Sequence, residues 1–102
     1  MGYAIVERNF RCRFGEVDII ARDGDCLVFV EVRSHTSTDF GSPAESVGPR
    51  KQNRLYLTAE TYLEAKKLEN VDCRFDVVEV VFARGAAPSV KVIKNAFDTT
   101  GF

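Results

Sequence analysis

The sequence predicts an α/β domain in which one mixed β-sheet is flanked by helices. Three observations predict it. Two β-rich runs fill Gly15 to Arg33 on either side of Asp23-Gly24-Asp25, the strongest hairpin signal in the chain. Behind Pro49, the stretch Arg50 to Leu68 runs without Gly or Pro and gathers Leu55, Ala59, Tyr62 and Leu63 on one helical face. Both faces of the hairpin carry apolar residues, the pattern of a sheet covered on two sides.

The elements follow in order. Tyr3 to Glu7 is a short apolar run bounded by Asn9 and reads as an edge strand or the start of the sheet. After the hairpin, Ser34 to Gly48 is a polar loop with Gly41 and Pro43. In it Ser42 and Glu45 have capping-box spacing, which fits a single helical turn. The helix that begins at Pro49 is expected to run about five turns, with Leu68 near the edge of its apolar face. Phe75 to Phe82 is a third strong strand, and Val90 to Ile93 a weaker fourth after the turn from Gly85 to Pro88. Residues 1–97 are therefore expected to form a single domain, and 98–102 a loose tail.

Composition narrows the function classes. A chain of 102 residues has room for one core, and 45% hydrophobic with 28% charged residues is the make-up of an ordinary globular domain. The net charge of −1 excludes a histone-like polybasic binder but leaves room for local basic patches. No apolar run reaches the roughly 20 residues of a membrane span, and the opening MGYAIVERNF lacks a signal peptide's apolar region, so a cytoplasmic protein without a membrane partner is expected. Cys12, Cys26 and Cys73 are odd in number and lack CxxC spacing, which fits reduced thiols better than a disulfide framework or a zinc site.

The hairpin departs from its own pattern away from the turn. One face carries Val17, Ile19, Ala21, Val28, Val30 and Val32, all apolar. The other carries Ile20, Leu27 and Phe29 near the turn, but Glu16, Asp18, Glu31 and Arg33 farther out. A Gly24-Asp25 turn sets Asp18 opposite Glu31 and Glu16 opposite Arg33, whereas an Asp23-Gly24 turn sets Glu16 opposite Glu31. Either register gathers carboxylates at the margin of a buried surface, where like charges repel. The available counter-charges are Arg33 and a divalent cation, and hard oxygen ligands suit Mg²⁺ or Mn²⁺. The same four charges also read as an ion-pair network on a solvated face, a reading that Ile20, Leu27 and Phe29 weigh against. Gln52 lies on the side of Leu55 and Ala59, so it either points at the sheet from the helix's first turns or is a surface glutamine.

Basic residues flank this feature. Arg8, Arg11 and Arg13 precede the hairpin, interleaved with Phe10 and Phe14, while Arg50, Lys51 and Arg54 cluster where helix dipoles favour phosphate. Together Arg11, Arg13, Arg50, Lys51 and Arg54 would follow a nucleic-acid backbone on both sides of the carboxylates; taken apart, each cluster is also ordinary solvated surface. His35, the one histidine, reads as a phosphate ligand, a proton-transfer aid or an incidental loop residue. Tyr56, Tyr62, Phe75 and Phe82 fit core or interface packing better than base stacking, and nothing resembles a groove-reading helix.

Glu16-Val17-Asp18, followed thirteen residues after the aspartate by Glu31-Val32-Arg33, resembles the core of PD-(D/E)xK nucleases. More closely, RNFRCRFGEVDIIARDGD, LVFVEVR, FGSPAESVGPRKQNRL and RFDVVEV look like the YraN-like family of small bacterial proteins, uncharacterised protein family 0102, with the likeness running from about Gly2 to Phe97. The resemblance implies a restriction-endonuclease-like fold, related to Holliday-junction resolvases and Mrr-type nucleases. It implies Mg²⁺ (or Mn²⁺) held by Asp18 and Glu31 with the Val32 carbonyl as a third ligand. Arg33 would stand at the scissile phosphate or orient the attacking water, and Gln52 would approach from the helix. Glu16 and Asp76 match further motif positions and, with His35, take accessory rank.

These residue types suit the chemistry, because phosphodiester hydrolysis needs an activated water, a Lewis acid and a cation near the developing charge. Arg33 stands where the wider superfamily has Lys; it cannot serve as a general base, yet it neutralises phosphate charge. The resemblance also expects a helix before Tyr3 that this sequence lacks, so one sheet face is expected to be uncovered and open to a second copy as a homodimer. The expected function is a Mg-dependent nuclease or nuclease-like DNA-processing protein acting on branched DNA, by fold-level analogy. The alternative is a non-catalytic nucleic-acid-binding or protein-interaction module on the same fold.

Overall fold

A computed structural model describes residues 2–36 and 48–96 of the chain. The elements are β1 (Ala4–Cys12), β2 (Gly15–Asp23), β3 (Cys26–Thr36), α1 (Pro49–Ala65), β4 (Cys73–Phe82) and β5 (Ser89–Ile93), in the order the sequence predicts. The strands lie side by side in that same order as one sheet. Neighbours are antiparallel except β3 and β4, which run parallel because α1 carries the chain back between them. The turn expected at Ser42 to Glu45 and the tail at 98–102 fall outside the described residues.

Local chemistry sets the register. Asp23 pairs with Cys26, so the turn is Gly24-Asp25, and Gly24 at φ 60 supplies the left-handed backbone that a two-residue hairpin needs. Of the two registers open to the sequence, this one brings Asp18 and Glu31 to the same level. β1 does not end before Asn9 but continues to Cys12, with Asn9 held at φ 55 inside the strand. Asparagine tolerates that conformation, so it marks a kink here and not a boundary. Asn9 falls between the pairs Arg8↔Ile19 and Phe10↔Val17, which places the kink beside Asp18. Across it the strict alternation fails. Val17, grouped by spacing with Ile19 and Ala21, joins Ile20 in the core beneath the helix.

α1 opens as expected, with Pro49 in its first turn and the Gln52 amide donating to the Gly48 carbonyl at 2.9 Å. It closes earlier than expected, at Ala65. Lys67 adopts φ 55, its amide reaches the Glu64 carbonyl at 3.1 Å, and the Leu68 amide reaches the Leu63 carbonyl at 2.9 Å. This is the Schellman ending with lysine where glycine usually stands, so no residue type announces the stop.

Leu55, Ala59 and Tyr62 of the helix bury against Val17, Ile20, Leu27, Phe29, Phe75 and Val77 of the sheet. Tyr62 meets Phe10 and Phe29 edge-on at 5.1 and 6.0 Å, and Phe29 stacks on Phe75 at 5.4 Å. Phe82, read as a packing residue, stays 50% exposed at the end of β4. The cysteines are free thiols; burial pushes that of Cys73 up to about 11. No helix among the described residues is long and apolar enough to cross a membrane.

The opposite face of the sheet has no helix over it among the described residues, where α1 is the one helix. Val28, Val30 and Val78 are nonetheless buried, because Tyr3, Ile19, Cys26, Val80 and Val92 pack over them. A polar network joins them. Asp76, 1% exposed, accepts from the Tyr3 hydroxyl at 2.7 Å, Arg74 Nε at 3.0 Å and the Asn95 amide at 2.9 Å. Arg74 reaches Asp23 as well, at 2.8 Å. Burial alone would raise the Asp76 carboxyl, but the donors Arg74, Asn95 and Tyr3 outweigh it and hold it below the usual carboxylate range. Asp76, placed by motif near the site, thus sits between Phe75 and Val77 of the helix side and points the other way, as an anchor of the sheet.

Candidate functional site

Alternation along β3 sends Leu27, Phe29, Glu31, Arg33 and His35 to the helix side. The first two are core. From Glu31 onward β3 leaves the core. The ladder between β2 and β3 has its last pair at Ile19↔Val30. One level farther the Val32 amide donates to Asp18 Oδ2 at 2.8 Å. A side-chain carboxylate takes the place of a ladder carbonyl, and the strands part where the charges lie. The expected opposition of Glu16 to Arg33 is replaced accordingly. Glu16 pairs across to Arg11 on β1 and accepts from its Nε at 2.7 Å.

The first three turns of α1 form the facing wall. Between them and the parted strands lies a cleft of about 630 Å³. Glu16, Asp18 and Glu31 line one side; Arg50, Lys51, Arg54, Leu55 and Thr58 line the other, with Gly48 at the helix start. No acidic residue occupies the first turn of α1. Cations there oppose the helix dipole, a local cost that an arriving anion would offset.

Glu31 is the strained member of the set. Burial pushes its carboxyl above the usual range, a hydrogen bond shared with Asp18 adds to the rise, and the neighbouring Lys51 ammonium opposes it. Lys51 Nζ stands 2.9 Å from Glu31 Oε2, but not in the alignment of a hydrogen bond. Glu31 Oε2 and Arg33 Nη1 are buried side-chain atoms without a hydrogen-bond partner among the described residues. No group of three or more His, Cys, Asp or Glu side chains forms a metal cage among those residues. The site therefore offers a cation two carboxylates, leaving its remaining positions to water or substrate oxygens. That donor set fits Mg²⁺ or Mn²⁺, which keep several such ligands.

The other expected residues are placed as follows. At Asp18 the group contributed by Val32 is its amide. Gln52 is not among the residues lining the cleft; Lys51, about 100° away around the helix, stands 2.9 Å from Glu31 Oε2. Arg13 lies in the β1–β2 turn with its guanidinium 4.7 Å over the Phe14 ring. His35 Nε2 contacts Glu79 Oε1 of β4, while its Nδ1 lies 3.0 Å from the Thr36 carbonyl. Sequence reasoning missed Glu79, only 8% exposed, and Thr58, whose hydroxyl donates to the Arg54 carbonyl at 2.7 Å. Thr58 was discoverable: it stands seven residues after Lys51, on the same helical stripe.

The model of "Uncharacterised protein family UPF0102" matches residues 1–80. A UPF0102 protein of Clostridium kluyveri is 46% identical over 98 residues, covering 95% of this chain and 80% of that one. One of Syntrophus aciditrophicus is 50% identical over 97 residues, covering 95% and 76%. One of Clostridium botulinum strain Hall is 50% identical over 98 residues, covering 94% and 80%. The chain belongs to this family.

Proposed function

We propose that this member of the UPF0102 family is a metal-dependent phosphodiesterase acting on DNA, built on a restriction-endonuclease-like frame. The observation that carries the reading is a pair of buried atoms without a hydrogen-bond partner among the described residues: Glu31 Oε2, which has only the Lys51 ammonium beside it, and Arg33 Nη1. Each such atom costs ~1–3 kcal/mol in a folded protein unless a ligand completes it. A carboxylate oxygen calls for a cation, and a guanidinium nitrogen calls for an anion. A cation at Glu31 and an anion at Arg33, two residues on along the same strand face, would meet these demands.

The residues then take distinct roles. Asp18 and Glu31 would hold Mg²⁺ or Mn²⁺, which when bound supplies a Lewis acid and a water of lowered pKa. Asp18 is fixed for this by the Val32 amide. Arg33 neutralises charge on the phosphate and, being permanently protonated, takes no part as a base. Arg50, Lys51 and Arg54, lining the cleft, hold the flanking backbone without reading its sequence. Branched DNA is the favoured substrate through the likeness to Holliday-junction resolvases, an argument from fold analogy.

Labelled four-way, nicked and single-stranded DNA incubated with Mg²⁺ or Mn²⁺ tests the reading. Cleavage is expected for the parent protein and its loss for Asp18→Ala and Glu31→Ala; cleavage unchanged in both variants overturns the assignment. If instead no divalent cation binds at millimolar concentration and DNA affinity survives both substitutions, the protein is a non-catalytic nucleic-acid-binding module.

A further inference from the structure

We infer that Lys51 is a resident counter-ion that competes with the divalent cation for Glu31 and is released toward the phosphate when that cation binds. The inference rests on the metal-dependent reading above and adds a residue that the nuclease motif does not contain. Three observations lead to it. Lys51 Nζ lies 2.9 Å from Glu31 Oε2, yet that oxygen has no hydrogen-bond partner among the described residues, so it is neutralised without being saturated. The two ends of the pair are held unequally: the Glu31 side chain is 12% exposed on a strand, the Lys51 side chain 47% exposed at the start of a helix. Lys51 is thus the partner free to leave. Arg50 and Arg54 line the same cleft, so a phosphate drawn there by their charge would give the Lys51 ammonium an alternative partner.

An ammonium and a divalent cation cannot both occupy one face of a buried carboxylate without strong repulsion. Lys51 therefore weakens cation binding in the empty protein and strengthens phosphate binding in the loaded one. A cation and a phosphate arriving together gain most, because the departure of Lys51 from Glu31 serves both.

Calorimetric titration of the intact protein with Mn²⁺ alone tests this, comparing the parent with Lys51→Gln, Lys51→Arg and Arg54→Gln. Lys51→Gln is expected to bind Mn²⁺ about three- to tenfold more tightly, the range allowed for a unit charge near 3 Å in a partly solvated site. Lys51→Arg keeps the charge and is expected to stay near the parent; Arg54→Gln removes a cation that does not touch Glu31 and is expected to shift affinity less. If Lys51→Gln binds no more tightly than the parent, or Arg54→Gln matches its gain, the role given to Lys51 fails while the metal site stands. If no variant binds Mn²⁺, the metal site itself fails and the inference falls with it.

Discussion

The sheet carries a charged network on each face, and the two are built in opposite ways. On the face away from the helix, the Asp76 oxygens are hydrogen-bonded by Tyr3, Arg74 and Asn95. Toward the helix, Glu31 and Arg33 each leave a buried atom without a hydrogen-bond partner among the described residues. Burial is similar in kind, but completion is not. A saturated carboxylate stiffens a fold, whereas an unsaturated one keeps valence for something that arrives from outside. The contrast also shows in the protons: Asp76 is held below the usual carboxylate range and Glu31 above it.

Removing each carboxylate is the strongest way to break this contrast. Asp76→Ala leaves the largely covered Arg74 with Asp23 as its remaining acid and strips the Tyr3 hydroxyl and the Asn95 amide of their acceptor, and is expected to cost about 2–4 kcal/mol in urea unfolding at neutral pH. A cost under about 1 kcal/mol would make Asp76 no anchor. Glu31→Gln is expected to act in the other direction, leaving stability unchanged or raising it by ~1 kcal/mol, because it removes a desolvated charge pressed against Asp18.

The pH dependence sharpens the same contrast. For Asp76, whose pKa is depressed in the folded state, the stability contribution is present above its ordinary value of 3.8 and lost as the pH falls through the depressed one. Glu31 is raised when folded, so its contribution is present below its ordinary value of 4.5 and lost as the pH rises through the raised one. Unfolding curves between roughly pH 3 and 8 are expected to show the Asp76→Ala penalty shrinking toward acid. The advantage of Glu31→Gln is expected to grow toward neutrality. Parallel curves for the two variants would erase the distinction.

Smaller cuts complete the test. Tyr3→Phe deletes the hydroxyl that donates to Asp76 and accepts from Arg74 Nη2 and is expected to cost about 1–2 kcal/mol. Lys51→Gln breaks a half-exposed ion pair and is expected to change stability by less than ~0.5 kcal/mol, measured in the same urea series.

Much of the frame was legible. Gly24 and the flanking β-rich runs marked the hairpin, Pro49 marked the helix start, and the order of elements followed. Asp18 and Glu31 were legible as a pair because a charged interruption in an apolar strand face has few cheap explanations. What stayed hidden has physical causes. Asn9 carries the same signal for a turn as for a kink within a strand, so β1 looked short and Val17 was put on the wrong face. Lys67 adopts a left-handed conformation that lysine rarely signals, so the helix looked long. The pairing of Lys51 with Glu31 was hidden because the tilt that brings its ammonium there is not written in spacing. Asp76 alternates with core residues on a strand buried on both faces, where pattern alone does not reveal which side a polar residue serves.

The Gly24-Asp25 turn has a last consequence, for heredity. It works as a ruler: its two-residue length brings Asp18 level with Glu31 and sets Glu31 and Arg33 on the cleft side. Inserting or deleting one residue there would slide β3 past β2 and, unless a bulge absorbed it, swing Glu31 and Arg33 toward the face of Asp76 while Val32 entered the cleft. Substitution can wander through much of this hairpin without moving the site. A change of length at its tip cannot, because the same slip that removes Glu31 from the cleft also turns Leu27 and Phe29 out of the core beneath the helix.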